Sequence, residues 1–259
     1  MHSVSHEEAT RDLRLVKTYT KFEMTQLVRS PGAMISSLVF PSLLFAAFVL
    51  PQMTGAPDPR HATVAVAQLC VFAFFTTCVF QIGFTVAEMR HEAWFVFLRT
   101  LPAGPLPRTV GQIFATTVVA IAGTIPILVL GGLFTDAQLS AGAIARGMLA
   151  LLCTTIPFCL LGALFGYTLS LRTALGVISL ASFLLAFLGG LFVMPATLGP
   201  VFDSISMLMP TRGPRELVAA AFVGSQVPWW SVVNLVAWLL IFTAGVVWSF
   251  RRDQNERYR

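Results

Sequence analysis

Charge is what this chain has least of. Only 11% of its 259 residues are Asp, Glu, Lys or Arg, where a soluble globular domain carries roughly a quarter. Too little polar surface remains to cover a water-soluble globule of this size, so lipid must be the solvent for much of it. Lys17 and Lys21 are the only lysines, and neither has a glycine-rich neighbourhood. No G-x-x-x-x-G-K-[ST] stretch occurs anywhere, which excludes nucleotide binding by the usual phosphate loop. Cys70, Cys78, Cys153 and Cys159 all sit in apolar runs and show neither a disulfide framework nor metal spacing. His2, His6, His61 and His91 are scattered over tails and loops, so no catalytic set and no metal site can be placed at one depth. Residues 1–32 are polar and longer than the basic region of a secretory signal, and no cleavage site follows a short apolar core.

What is present is apolar length. The chain is 56% hydrophobic with mean hydropathy +0.78. Six runs can each cross a hydrocarbon core of about 30 Å as a helix: Ala33–Leu50, Thr63–Val86, Val110–Leu133, Gly147–Tyr167, Ala174–Met194 and Ser231–Phe250. None of the six contains an ionisable Asp, Glu, Lys, Arg or His. Ion-coupled carriers and intramembrane enzymes normally need such groups at membrane depth, so both classes are disfavoured. Pro41, Pro126 and Pro157 lie inside runs, which membrane helices tolerate when neighbours repair the backbone bonds.

Orientation follows from Lys and Arg. If both termini share a side, that side holds thirteen of the 17 basic residues, and the other holds Arg60, Arg146, Arg212 and Arg215. The positive-inside rule then puts both termini in the cytoplasm. The net charge of +5 therefore reflects cytoplasmic loops rather than a nucleic-acid partner.

Three further segments interrupt the runs. Residues 10–30 read as an interfacial helix: Arg14, Lys17 and Lys21 share one sector, and Leu13, Val16, Met24 and Leu27 another. A juxtamembrane helix packed on protein is the alternative. Residues 195–228 hold two short apolar pieces, Val201–Met209 and Arg215–Val223, expected as outer helices that lie on the surface or re-enter the membrane. Residues 88–108 form a polar, Pro-punctuated island with Glu88, Arg90, Glu92, Trp94, Phe97 and Arg99 close together. Its charges can pair with a partner while its aromatics fill a pocket, or the aromatics can anchor the helix at the lipid interface.

Within the runs, Thr77, Gln81 and Thr85 share a helix face, and Ser179, Ser182 and Phe183 cluster in the fifth. They can line a weakly polar pathway, or hold helices together by hydrogen bonds. LGGLF occurs twice, at 130–134 and 188–192, and Gly162 with Gly166 makes a GxxxG. The repeat reads better as coincidence than as duplication, and the glycine pair permits close helix approach.

In order and spacing these features resemble a type-2 ABC exporter permease. The resemblance rests on Arg29-Ser30-Pro31 ending the first helix, Phe40-Pro41 in the first span, the charged segment ending in Leu101-Pro102, and Leu188-Gly189-Gly190, Pro195 and Pro210 after the fifth. It covers almost the whole chain as a single transmembrane domain, 1–259. It implies an all-α integral membrane fold of six spans and a coupling helix between spans two and three. It also implies a dimer, identical or with a sister permease, whose separate ATP-binding subunits hold ATP and Mg. In that family Glu92 would take the coupling helix's acidic position and Phe97-Leu98 part of its apolar run. Ala93-Trp94 stand where Gly-Thr is common, and Val96 replaces the usual acid. The resemblance further implies a multi-pass inner-membrane protein exporting a hydrophobic or amphipathic substrate such as a drug, antibiotic or lipid. Polysaccharide or lipid export by the same architecture, or a scaffold that transports nothing, are the alternatives.

Overall fold

Every regular element is helical in the computed structural model, which describes residues 14–25, 39–49, 51, 58–90, 106–193 and 199–257. We label the helices α1 (14–25), α2 (39–49, closing in a π-helical turn at Phe45–Val49), α3 (Pro59–Met89), α4 (Leu106–Phe134) and α5 (Ala141–Cys153). They continue as α6 (Thr155–Thr168), α7 (Leu171–Leu188), α8 (Pro200–Met207), α9 (Arg212–Val223) and α10 (Trp229–Arg257). Among the described residues, five stretches are long and apolar enough to cross a membrane: α3, α4, α5 with α6, α7 and α10. The predicted first span falls partly outside the described residues, and its described part is α2.

The body is built around α3. This helix is apolar on nearly every face, and a helix of that kind must be buried all round. Of its most apolar window 83% is buried, against 22% for α7 and 11% for α10. Asp58 starts it by accepting from the Arg60 backbone N–H at 2.9 Å, with Pro59 in the first turn where its missing N–H costs nothing. Against α3 pack α4, α6, α7 and α9.

The α3–α6 seam is the tightest. A methyl on Gly162 would lie 2.7 Å from the Val79 carbonyl oxygen, and one on Gly166 would lie 2.7 Å from that of Gly83. The GxxxG of the fourth run therefore serves helix contact within the chain. Phe75 and Phe158 meet edge-on at 4.9 Å across the same seam.

Two boundaries differ from expectation. The predicted fourth span is two helices meeting at Thr154. Pro157 offers no N–H to the carbonyl four residues back, and Thr154 turns both its N–H and its hydroxyl to Leu151 O. The fifth span stops at Leu188, short of Met194. Gly190 is left-handed at φ 76°, and the N–H groups of Gly190 and Leu191 bond back to Phe187 O and Ala186 O, a Schellman ending. The other LGGLF copy stays helical within α4, so the two copies share letters and not structure. Cys153 is exposed, unlike the other three cysteines, which are buried as expected.

Candidate translocation cavity and its two ends

Antiparallel α3 and α7 diverge beside α2 and leave a cavity of about 800 Å³. Its walls carry five of the six residues singled out as pathway candidates: Thr77, Gln81, Ser179, Ser182 and Phe183. Thr85 lies one residue beyond Phe84, the last lining position of α3, and donates to Gln81 O. Sequence reasoning missed the aromatic wall made by Phe40, Phe72, Phe80 and Phe84. Its signal is legible in retrospect, because Phe72, Thr76, Phe80 and Phe84 recur every four residues. Phe192 packs between Phe72 (4.8 Å) and Phe183 (5.3 Å), so aromatic rings bridge α3 and the end of α7.

Among the described residues, no charged side chain lines this cavity. The hydroxyls of Thr76, Thr77 and Ser179 donate to carbonyls of their own helices, which leaves their oxygens as acceptors. Ser182 Oγ is buried without a partner among the described residues. The wall is thus aromatic, neutral and sparsely polar. It can hold an apolar body by dispersion and ring contacts.

At the Met89 end, Glu88 and Arg90 are half-buried. Arg90 Nη1 donates to Gly166 O and Leu169 O, both at 3.3 Å, and so closes the C-terminus of α6. Glu92, Trp94, Phe97 and Arg99 lie outside the described residues. Helix α1 packs along α4 here. Gly111 meets Val16, Tyr19 and Thr20, and Met24 rests on Ala115 and Val119, while Arg14, Lys17, Lys21 and Phe22 stay exposed. Glu23 is the unexpected member of the packed face, at 6% exposure. Burial raises its carboxyl above the ordinary range, Arg108 opposes that shift and Glu88 adds to it.

At the Pro59 end, α8 and α9 stand where short helices were expected, and α9 is deeply packed. Val218, Ala219 and Phe222 are buried, with the Phe222 ring on Gly147. Asn234 and Trp238 of α10 donate to the carbonyls of Met207, Met209 and Leu208. Gln68 of α3 faces α9. With its amide oriented to satisfy both groups, its oxygen accepts from Arg215 Nε at 3.0 Å.

A neutral, ring-walled cavity in a bundle of membrane-length helices, with the charged side chains among the described residues at its two ends, is consistent with a membrane transport body. Comparison with known families makes the class specific. The model of the family described as "ABC-2 type transporter" matches residues 14–223, and the chain belongs to that family. It is also 24% identical over 225 residues to the "Putative transport permease YvfS" of Bacillus subtilis (strain 168), covering 85% of this chain and 90% of that one. The chain is therefore a multi-pass membrane permease of an ABC transporter, a family whose members work with an ATP-binding partner.

Proposed function

We propose that this permease exports a hydrophobic or amphipathic molecule, a drug, antibiotic or lipid-like compound, through the cavity between α3 and α7. The observation that carries this reading is the cavity itself: about 800 Å³, lined among the described residues by five phenylalanines, four hydroxyls, one amide and no charge. Such a lining stabilises an apolar solute mainly by area removed from water and leaves few polar contacts to fix orientation. Two chains, identical or sister permeases, would sit in the inner membrane with both termini cytoplasmic. This orientation is supported by the basic residues clustering at the Met89 end. ATP and Mg would be held by the partner subunits, docked on residues 88–108 through Glu88, Arg90, Glu92, Trp94, Phe97 and Arg99. ATP binding biases the body between two states by its differential affinity for them.

The test uses inside-out vesicles containing the permease and its ATP-binding partner, with an apolar fluorescent dye. A Cβ on Gly176 meets nothing within 4 Å, so Gly176→Trp should fill the cavity and stop ATP-dependent dye transport while the ATPase stays bound. Glu92→Ala with Trp94→Ala should instead release the ATPase. Transport at the wild-type rate in Gly176→Trp would refute the cavity as the path.

A further inference from the structure

A second cavity, of about 310 Å³, opens at the Pro59 end between α3, α9 and the connection 225–228. We propose that it is a binding site for a phosphate-type oxyanion. Three guanidinium groups, Arg60, Arg212 and Arg215, stand on its wall against one carboxylate, Glu216. Arg215 pairs with Glu216, and Arg212 reaches Glu216 at 3.3 Å and Asp203 of α8 at 3.1 Å. The arrangement thus sets three cations against two anions. The buried pair Arg212 and Arg215 is matched by Glu216 and Asp203, and the unmatched positive charge is that of exposed Arg60 at the cavity mouth. Asp58 is spent on capping the backbone N–H of Arg60 and does not line the cavity.

The second observation concerns Arg212 itself. The residue is only 7% exposed, and its Nη1 has no hydrogen-bond partner among the described residues. With Nη1 shielded from solvent, the Arg212 guanidinium acts on the cavity through its charge. Arg60, at the mouth, makes no side-chain hydrogen bond or ion pair among the described residues. Ser225 and Gln226 on the rim supply neutral donors for the remaining oxygens. Guanidinium forks match phosphate geometry better than any other side chain does.

The setting suggests where such a group comes from. The cavity lies where α3 and α10 begin, next to Trp229, which is 78% exposed, and Trp230, whose ring is 6.0 Å from the Arg212 guanidinium. Tryptophans mark the headgroup level of a bilayer, so the phosphate of a lipid headgroup lies at the depth of this cavity. A free phosphate ion has the same chemistry and must be distinguished from a headgroup by experiment.

The full chain in a neutral maltoside detergent is titrated with short-chain phosphatidylglycerol and, separately, with inorganic phosphate at constant ionic strength. Thermal unfolding is read by tryptophan fluorescence. A saturable rise in melting temperature is expected, with half-saturation weakened about tenfold in Arg60→Gln and largely restored in Arg60→Lys. Arg212→Gln should lose the rise altogether. Because that variant removes buried ion pairs and can fail to fold, the exposed Arg60 carries the test. A response to phosphatidylglycerol alone assigns a headgroup, and an equal response to inorganic phosphate assigns a free oxyanion. Equal half-saturation in wild type and Arg60→Gln, or no saturable rise with either ligand, overturns the proposal.

Discussion

Replacing Gly162 by Ala tests whether the α3–α6 seam fixes this fold. The new methyl would sit 2.7 Å from Val79 O and 3.0 Å from Val79 Cα. Both are backbone atoms of a helix buried on all sides, so neither can step aside as a flexible side chain would. Restoring ordinary contact requires the two helix axes to separate by roughly 0.7–1 Å, which is overpacking of the kind that costs about 1–3 kcal/mol. Alanine also gains about 0.5–1 kcal/mol of helix propensity over glycine. The net expectation is a loss of roughly 1–2 kcal/mol. Gly166→Ala should behave alike, since its methyl would meet Val86 Cβ at 2.6 Å and Gly83 O at 2.7 Å.

Gly176 supplies the control, because only the propensity gain applies where the added methyl meets open space. Reversible unfolding in detergent micelles should therefore order the variants as Gly176→Ala at or above wild type, and Gly162→Ala and Gly166→Ala below it. If Gly162→Ala unfolds like wild type and instead dissociates dimers on a sizing column, the pair is an intermolecular contact and the seam argument fails.

Three other perturbations follow from the ends and walls of the body. Glu216→Gln leaves Arg212 with Asp203 alone and takes from Arg215 its carboxylate partner among the described residues, and should cost roughly 3 kcal/mol by denaturant titration, the lower end for breaking a buried ion pair; no change would mean solvent already screens the cluster. Glu23 has a folded pKa raised above 4.5, so its protonated form favours α1 docking. Docking is strongest below that ordinary value and weakens as pH rises through the folded pKa. Glu23→Gln should slow hydrogen exchange in residues 14–25 at neutral pH and match wild type at acid pH, and an equal gain at every pH would deny the titration. Finally, spin labels at Leu180 of α7 and Leu240 of α10, both exposed, should change separation when ATP binds the partner, with the exposed Cys153 replaced by Ser. The Ile156–Leu240 pair across α6 and α10 should not, and equal shifts in both pairs would place the moving boundary elsewhere.

Membrane class and the approximate positions of five spans were legible because apolar length and absent charge are local properties of a sequence. The alternation of Lys and Arg with the spans likewise located the two polar ends. The cavity was half legible. Thr77 and Gln81 share a face by helical periodicity, but periodicity cannot say that this face meets Ser179 and Ser182 of a helix about a hundred residues on. The break at Thr154 was hidden because Pro126 stays within an unbroken helix while Pro157 follows a turn; the difference lies in how Leu151 and Thr154 bond. Arg212 and Arg215 were misjudged most. They counted only as charges of the outer side, yet α9 buries both and sets Arg215 against Gln68, a contact that no local pattern in RGPREL announces.

The distribution of packing also says which wall of the cavity can move. On one side stands α3, locked to α6 by glycines whose slightest enlargement would strike backbone, and to α4 where Gly131 admits Val66. On the other stands α7, whose buried residues within the helix are Ala174, Ile178, Ser182 and Ala186, one narrow stripe against α3. Three of the four are small and give little dispersion energy to overcome, Ile178 being the exception, and the Ser182 hydroxyl has no hydrogen bond to break among the described residues. Both ends of α7 are short turns, Leu169–Ser170 and Gly189–Gly190, and the latter holds a left-handed glycine. Widening the cavity by tilting α7 therefore disturbs fewer contacts than any displacement of α3. This is the physical reason for expecting the label on Leu180, rather than the one on Ile156, to report the nucleotide state of the partner.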